Sequence, residues 1–169
     1  MANVIESRSS YLHGPARSYT DSYLAPIVLS ICRQYGARRV LDIGCGNGSL
    51  CRELAEAGFQ VVGMEPSGSG VAIARQSVPG VAFYEQGVYD DPGNIPEGDF
   101  DLAVSTEVIE HLFQPSALLK FAAAKLKPGG VLAVSTPYHG YLKNLAISLA
   151  NGWDRHHAPL SDGGHIKFW

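Results

Sequence analysis

The chain is poor in charge and lacks the features that mark membrane, secreted or nucleic-acid-binding proteins. Charged residues make up 17% of it and leave a formal charge of −3, so there is no general pull toward nucleic acid or anionic membranes. At most, Arg155-His156-His157 forms a local basic patch. Cysteine is scarce: Cys32, Cys45 and Cys51 are odd in number and show no CxxC spacing. A disulfide framework is therefore not expected, and free thiols in a reducing, cytoplasmic setting are. No apolar run approaches about 20 residues and Met1–Ser10 is polar, so neither a membrane span nor a signal peptide is read from the chain. Repeats and low-complexity tracts are missing too. What is present is 169 residues, 46% of them hydrophobic. That suffices for one packed domain with a single core and is too little for two.

Residues 1–20 are polar and aromatic and read as an arm or lid; residues 21–169 read as the domain. A helix is expected from about Asp21 to Tyr35, where Leu24, Ile27, Val28, Ile31, Cys32 and Tyr35 fall at helical spacing. Pro26 sits near its first turn, and Gly36 suits its end. Strands are then expected at Arg39–Ile43, Gln60–Met64, Val81–Tyr84, Asp101–Ser105 and Val131–Ser135. Helices are expected at Ser49–Ala57, near Ser69–Arg75, at Pro115–Leu126 and at Tyr141–Ala150. Asp90–Asp99 reads as loop because of Pro92, Gly93, Pro96 and Gly98, and Lys127–Gly130 reads as a turn. Short apolar strands alternating with helices imply an α/β, Rossmann-like doubly wound fold: a mainly parallel sheet with helices on both faces. Such sheets bind ligands at the carboxyl ends of their strands.

The sharpest motif lies there. Val40-Leu41-Asp42-Ile43-Gly44-Cys45-Gly46-Asn47-Gly48-Ser49-Leu50 leaves the first strand and enters a helix. Gly44, Gly46 and Gly48 let the backbone turn tightly against a ligand, and the helix start presents N–H groups. A dinucleotide fingerprint would read GxGxxG; here the third glycine comes one residue early. Asp42, just before the loop, is a poor neighbour for a pyrophosphate and suits a ligand with a cationic amino group. Glu65 ends the second strand, where an acid can accept hydrogen bonds from both hydroxyls of a ribose.

The loop, Glu65, Phe100-Asp101-Leu102-Ala103 and Leu126-Lys127-Pro128-Gly129-Gly130 resemble the successive motifs of class I S-adenosylmethionine-dependent methyltransferases over about residues 38–137. The resemblance implies that S-adenosylmethionine is held by Asp42, by the loop Gly44, Cys45, Gly46 and Gly48, and by Glu65. It also implies that Pro66 lines the adenine side and that Thr106 flanks the methionine end. Many members carry an acid where Gln86-Gly87-Val88-Tyr89 places Val88. Backbone groups of Gly87 and Val88, or the carboxylate of Asp90, would have to substitute.

Thr106-Glu107-Val108-Ile109-Glu110-His111-Leu112 follows the fourth strand. In a helix, Glu107, Glu110 and His111 would share one face at i, i+3 and i+4, and two carboxylates with an imidazole can bind a divalent metal. A helix start favouring acids explains the same residues without a metal. The ExxEH string resembles ubiquinone-biosynthesis O-methyltransferases. It also resembles small-RNA terminal 2′-O-methyltransferases, whose metal site adds a downstream histidine. Gly163-Gly164-His165-Ile166-Lys167-Phe168-Trp169 resembles that downstream segment and makes His165 a fourth candidate ligand. His139, His156 and His157 lie where acceptors enter such folds.

The expected reaction is transfer of an already activated methyl group, most simply to a hydroxyl of a small molecule. It needs in-line positioning of the acceptor and its deprotonation. A metal would assist the deprotonation; otherwise His111 or His139, with Glu110, are the candidate acid–base residues. An RNA acceptor and a cofactor-binding domain without turnover stand as alternatives. The resemblance implies two further strands, and the chain stops at Trp169 before either. The fold is therefore expected to lack the usual last two strands, and the open sheet edge is expected to recruit a partner such as a second copy.

Overall fold

The computed structural model describes residues 21–138 and 140–153. The expected arm 1–20, His139, Arg155, His156, His157 and His165 lie outside the described residues. Helix α1 (Asp21–Gln34) leads into five strands and four further helices. These are β1 (Arg39–Ile43), α2 (Ser49–Glu56), β2 (Gln60–Glu65), α3 (Gly68–Ser77), β3 (Ala82–Glu85), β4 (Phe100–Thr106), α4 (Ser116–Lys125), β5 (Leu126–Ser135) and α5 (Tyr141–Leu149). The strands form one sheet in the order β3-β2-β1-β4-β5, and every pairing is parallel. This is the Rossmann-like fold expected, wholly rather than mainly parallel over the described strands. Strand order reverses between β1 and β4, and the crevice at such a reversal is where open α/β sheets take their ligands.

Alternation along β1 explains the two-sided core. Val40 faces the layer of α1, α2 and α3, packing with Cys32, Leu54 and Val71. Leu41 and Ile43 face the opposite layer, packing with Leu118 and Phe121 of α4. Asp42 has the parity of Val40, so its carboxylate points into the α2 side, where it is almost wholly buried.

Two local expectations are corrected. Pro26, expected near the first turn of α1, lies inside the helix beyond that turn. Lys127–Gly130 does not precede β5 as a separate turn. It is an irregularity within the strand, since Phe100 pairs with Leu126 but Leu102 already pairs with Val131, and Gly129 takes φ 78° to make the excursion. The chain there follows β4 across the sheet, a constraint that turn chemistry alone does not express.

Asp101 clamps the amino end of the sheet. Its Oδ2 accepts from the backbone N–H groups of Arg38 and Arg39, each at 2.8 Å, and Oδ1 pairs with the Lys127 ammonium. The Lys127 bond, with those of Arg39 and Arg38, holds this carboxyl well below the usual carboxylate range. A lowered folded pKa stabilises above the unfolded value and is lost as pH falls through the folded one. Asp101→Ala is therefore expected to lower stability by about 1 kcal/mol at neutral pH, the low end for a charged hydrogen-bonded group because solvent screens it. The deficit should shrink below about pH 4. Urea melts at pH 7 and pH 3 check both statements, and an equal deficit at the two pH values would contradict the clamp.

Candidate active site

The glycine loop is built by backbone conformation first. Gly44, Gly46 and Gly48 take φ of 82°, 53° and 80°, left-handed values that side chains resist. Gly44 and Cys45 both donate their N–H to the Met64 carbonyl, at 2.8 and 2.9 Å, which ties the loop to the end of β2. A Cβ on Gly44 would come within 2.4 Å of Val108 Cγ2, and one on Gly48 within 3.0 Å of Ala74 Cβ. The loop is thus a cradle whose walls are already in contact. Gly48 caps α2 without a side-chain bond; instead the buried Asn47 Oδ1 accepts from Ser49 N–H at 3.1 Å. Sequence reading passed over Asn47, although an Asn two residues before a free helical N–H is a recognisable turn signal.

Glu65 reaches from β2 to the loop. Its Oε2 accepts from Gly46 N–H at 3.2 Å and its Oε1 from Ser67 N–H at 2.9 Å. Burial pushes this carboxyl up, against the downward pull of the Ser67 and Gly46 bonds. Each carboxylate oxygen has a second lone pair, so the side chain can still accept from a diol.

Beside the loop lies a cavity of about 60 Å³. Its lining brings together Gly44, Pro66, Gly87 and Val88 with Met64, Tyr89, Val108 and Leu112. The wall is largely apolar. Asp90 does not face it as a free acid: its Oδ2 accepts from Gly87 N–H at 2.8 Å and closes the 87–90 turn. The buried Gln86 supports the same turn by donating to the Asp91 carbonyl at 2.7 Å.

The ExxEH segment differs most from expectation. Only Ile109–His111 is helical, as a single 3₁₀ turn, and Glu107 sits at φ 56°. The expected shared helical face of Glu107, Glu110 and His111 does not form. Cross-strand bonding decides this: Glu107 N–H donates to the Ser135 carbonyl at 3.2 Å, while Ser135 Oγ donates to Glu107 Oε1 at 2.8 Å. Thr106, ending β4, pairs in register with Ser135. Glu110 is 1% exposed. Burial raises its carboxyl against the pull of its own backbone N–H and of His111. His111 Nε2 lies 4.0 Å from Glu110 Oε1 and is partly exposed.

The glycine cradle, the buried Asp42 and the loop-facing Glu65 fit a nucleoside with a cationic tail and no phosphate. For a divalent metal, no three His, Cys, Asp or Glu side chains are grouped among the described residues, and the candidate ligand His165 lies outside them. Glu107 is engaged by Ser135.

A family model described as a methyltransferase domain matches residues 16–169. A ubiquinone biosynthesis O-methyltransferase of Bradyrhizobium diazoefficiens is 40% identical over 118 residues, covering 68% of this chain and 45% of that protein. One from Rhodopseudomonas palustris is 37% identical over 144 residues, covering 76% and 56%. The chain thus spans about half the length of these curated relatives. An amino pentose methyltransferase from Micromonospora echinaspora, solved with S-adenosylmethionine bound, superposes with TM-score 0.62 at 28% identity, covering 73% of this chain and 52% of that one. The YcgJ protein of Bacillus subtilis shares the fold at TM-score 0.66 and 20% identity, covering 87% and 62%.

Proposed function

Since this chain belongs to the class I S-adenosylmethionine-dependent methyltransferase family, we propose that it transfers a methyl group from S-adenosylmethionine to a hydroxyl of a small molecule. The observation that carries the reading is the convergence of Glu65 and the three left-handed glycines on one crevice. The cofactor, when bound, supplies an electrophilic methyl group. Asp42 and the loop backbone receive its cationic amino-acid end, and Glu65 accepts from its ribose. Pro66, Gly87 and Val88 give the base an apolar seat, and Thr106 borders the reacting end.

The acceptor must lose a proton as it attacks. His111 is the base we assign to that role, and Glu110 steadies the imidazolium that results. The structure describes only these two of the three residues singled out for catalysis, so His139 enters as a proposed neighbour of the acceptor. The reading that the acceptor is small, and a phenol or alcohol rather than an amine, draws on the named activity of the curated relatives. No described helix is long and apolar enough to cross a membrane.

Calorimetry with S-adenosylhomocysteine tests the cofactor directly. The protein should bind it and should ignore NAD. Glu65→Ala should weaken binding by about 1–3 kcal/mol, because two hydrogen bonds to a charged acceptor are lost. Tight NAD binding with no response to S-adenosylhomocysteine would sink the assignment.

A further inference from the structure

Three buried polar side chains meet beneath the glycine loop, and the mechanism above uses only one of them. Cys51, on the first turn of α2, is fully buried. Its Sγ donates to Asp42 Oδ2 at 3.2 Å. Cys45, inside the loop itself, is buried as well. The three cysteines of the described chain are free thiols, so Cys51 stands here as a hydrogen-bond donor and not as half of a disulfide. Its bond joins the helix that follows the loop to the carboxylate beneath it.

We propose that Cys51 is a positioning residue, whose S–H fixes the Asp42 carboxylate in the orientation that receives the cationic amino group of the cofactor. The inference rests on the cofactor reading above. Its physical basis is direct. Asp42 is 1% exposed, so water does not orient it, and a buried carboxylate takes its geometry from whatever donors line its pocket. Cys51 supplies one of those donors from an element that the loop's own sequence does not include. Burial pushes the Cys51 thiol well above its ordinary range, which keeps it protonated and therefore a donor at all physiological pH. Cys45 completes the arrangement. Its side chain is packed so closely against β2 that a Cβ on Gly63 would lie 2.9 Å from its Sγ.

The consequence is specific to one end of the ligand. Asp42 meets the amino-acid portion, so a misplaced Asp42 should weaken ligands that carry the amino group and spare those that lack it. The experiment compares S-adenosylhomocysteine with methylthioadenosine by calorimetry on the wild-type chain and on Cys51→Ser, Cys51→Ala and Cys51→Val. Serine keeps a donor; alanine removes it; valine removes it while filling the volume.

The expected result is S-adenosylhomocysteine affinity within about twofold of wild type for Cys51→Ser and about five- to tenfold weaker for Cys51→Ala and Cys51→Val. That is the order for one weak donor to a charged group. Methylthioadenosine affinity should stay within about twofold in all variants, because loss of one hydrogen bond is confined to the amino end. If Cys51→Ala destabilises the fold too far to titrate, the contrast between the serine and valine variants carries the test. Equal losses for both ligands, or a valine variant that binds S-adenosylhomocysteine as tightly as wild type, would overturn the proposal. Failure of the wild-type chain to bind S-adenosylhomocysteine at all would instead overturn the cofactor reading.

Discussion

Gly44→Ala is expected to cost this protein about 2–5 kcal/mol and to bring S-adenosylhomocysteine binding down by more than tenfold. Two independent terms add. The residue sits at φ 82°, and holding an L side chain in that region costs about 1–2 kcal/mol. The new methyl would also press to 2.4 Å from Val108 Cγ2. Val108 is β-branched and stiff, so the backbone must yield, at about 1–3 kcal/mol for overpacking. In a chain of this size each kcal/mol lowers the melting temperature by about 2–4 °C. The double variant Gly44→Ala/Val108→Ala separates the terms: it should recover the steric part and leave the conformational part. A thermal melt of the single variant that overlays wild type would show that the loop and Val108 are not in the contact described.

Glu110→Gln should raise stability and remove activity together. The carboxylate is buried, and its folded pKa is raised by desolvation. A raised acid favours the fold below the ordinary carboxylate range, and that contribution is lost as pH rises through the folded value. At neutral pH the charged form is therefore a burden that glutamine, nearly the same shape, does not carry. A gain of about 1 kcal/mol at pH 7 is expected, fading toward pH 4. Methyl transfer should meanwhile fall by about 10²- to 10⁴-fold, the usual worth of general acid–base assistance, with S-adenosylhomocysteine affinity nearly intact. Denaturation profiles across pH 4–8, set beside turnover with a panel of phenols and catechols, check both halves. A variant less stable than wild type at pH 7 would mean that Glu110 is structural.

The glycine cradle and Glu65 were legible in the sequence because their signals are local. Three glycines at alternate positions between an apolar strand and a helix leave few backbone solutions, and Glu65 stands at the end of the next apolar run. The strands followed from the same kind of pattern: β1 was read at its observed bounds, and most others to within a residue or two, because a buried parallel strand is a short apolar run bounded by turn formers.

What tertiary structure alone decided is where long-range partners overruled local preference. The Glu107–His111 stretch has the acids and spacing of a helix start. Yet Ser135, twenty-eight residues on, takes both the Glu107 amide and its carboxylate and holds that residue in a left-handed turn. No periodicity within the segment encodes a bond to a neighbouring strand. The same holds for β5, whose irregularity is set by its register with β4, and for Val108, which the fold lays against Gly44. It holds also for Cys51. Its place on α2 could be read from the sequence, but its donation to Asp42 depends on how far α2 sits above β1, a distance set by the packing of Leu50 and Leu54 in the core. Residue type and spacing thus determined which groups stand at the carboxyl ends of the strands. Strand register and helix packing determined which of them touch, because hydrogen-bond geometry tolerates only tenths of an ångström and local sequence sets no distance between separate elements.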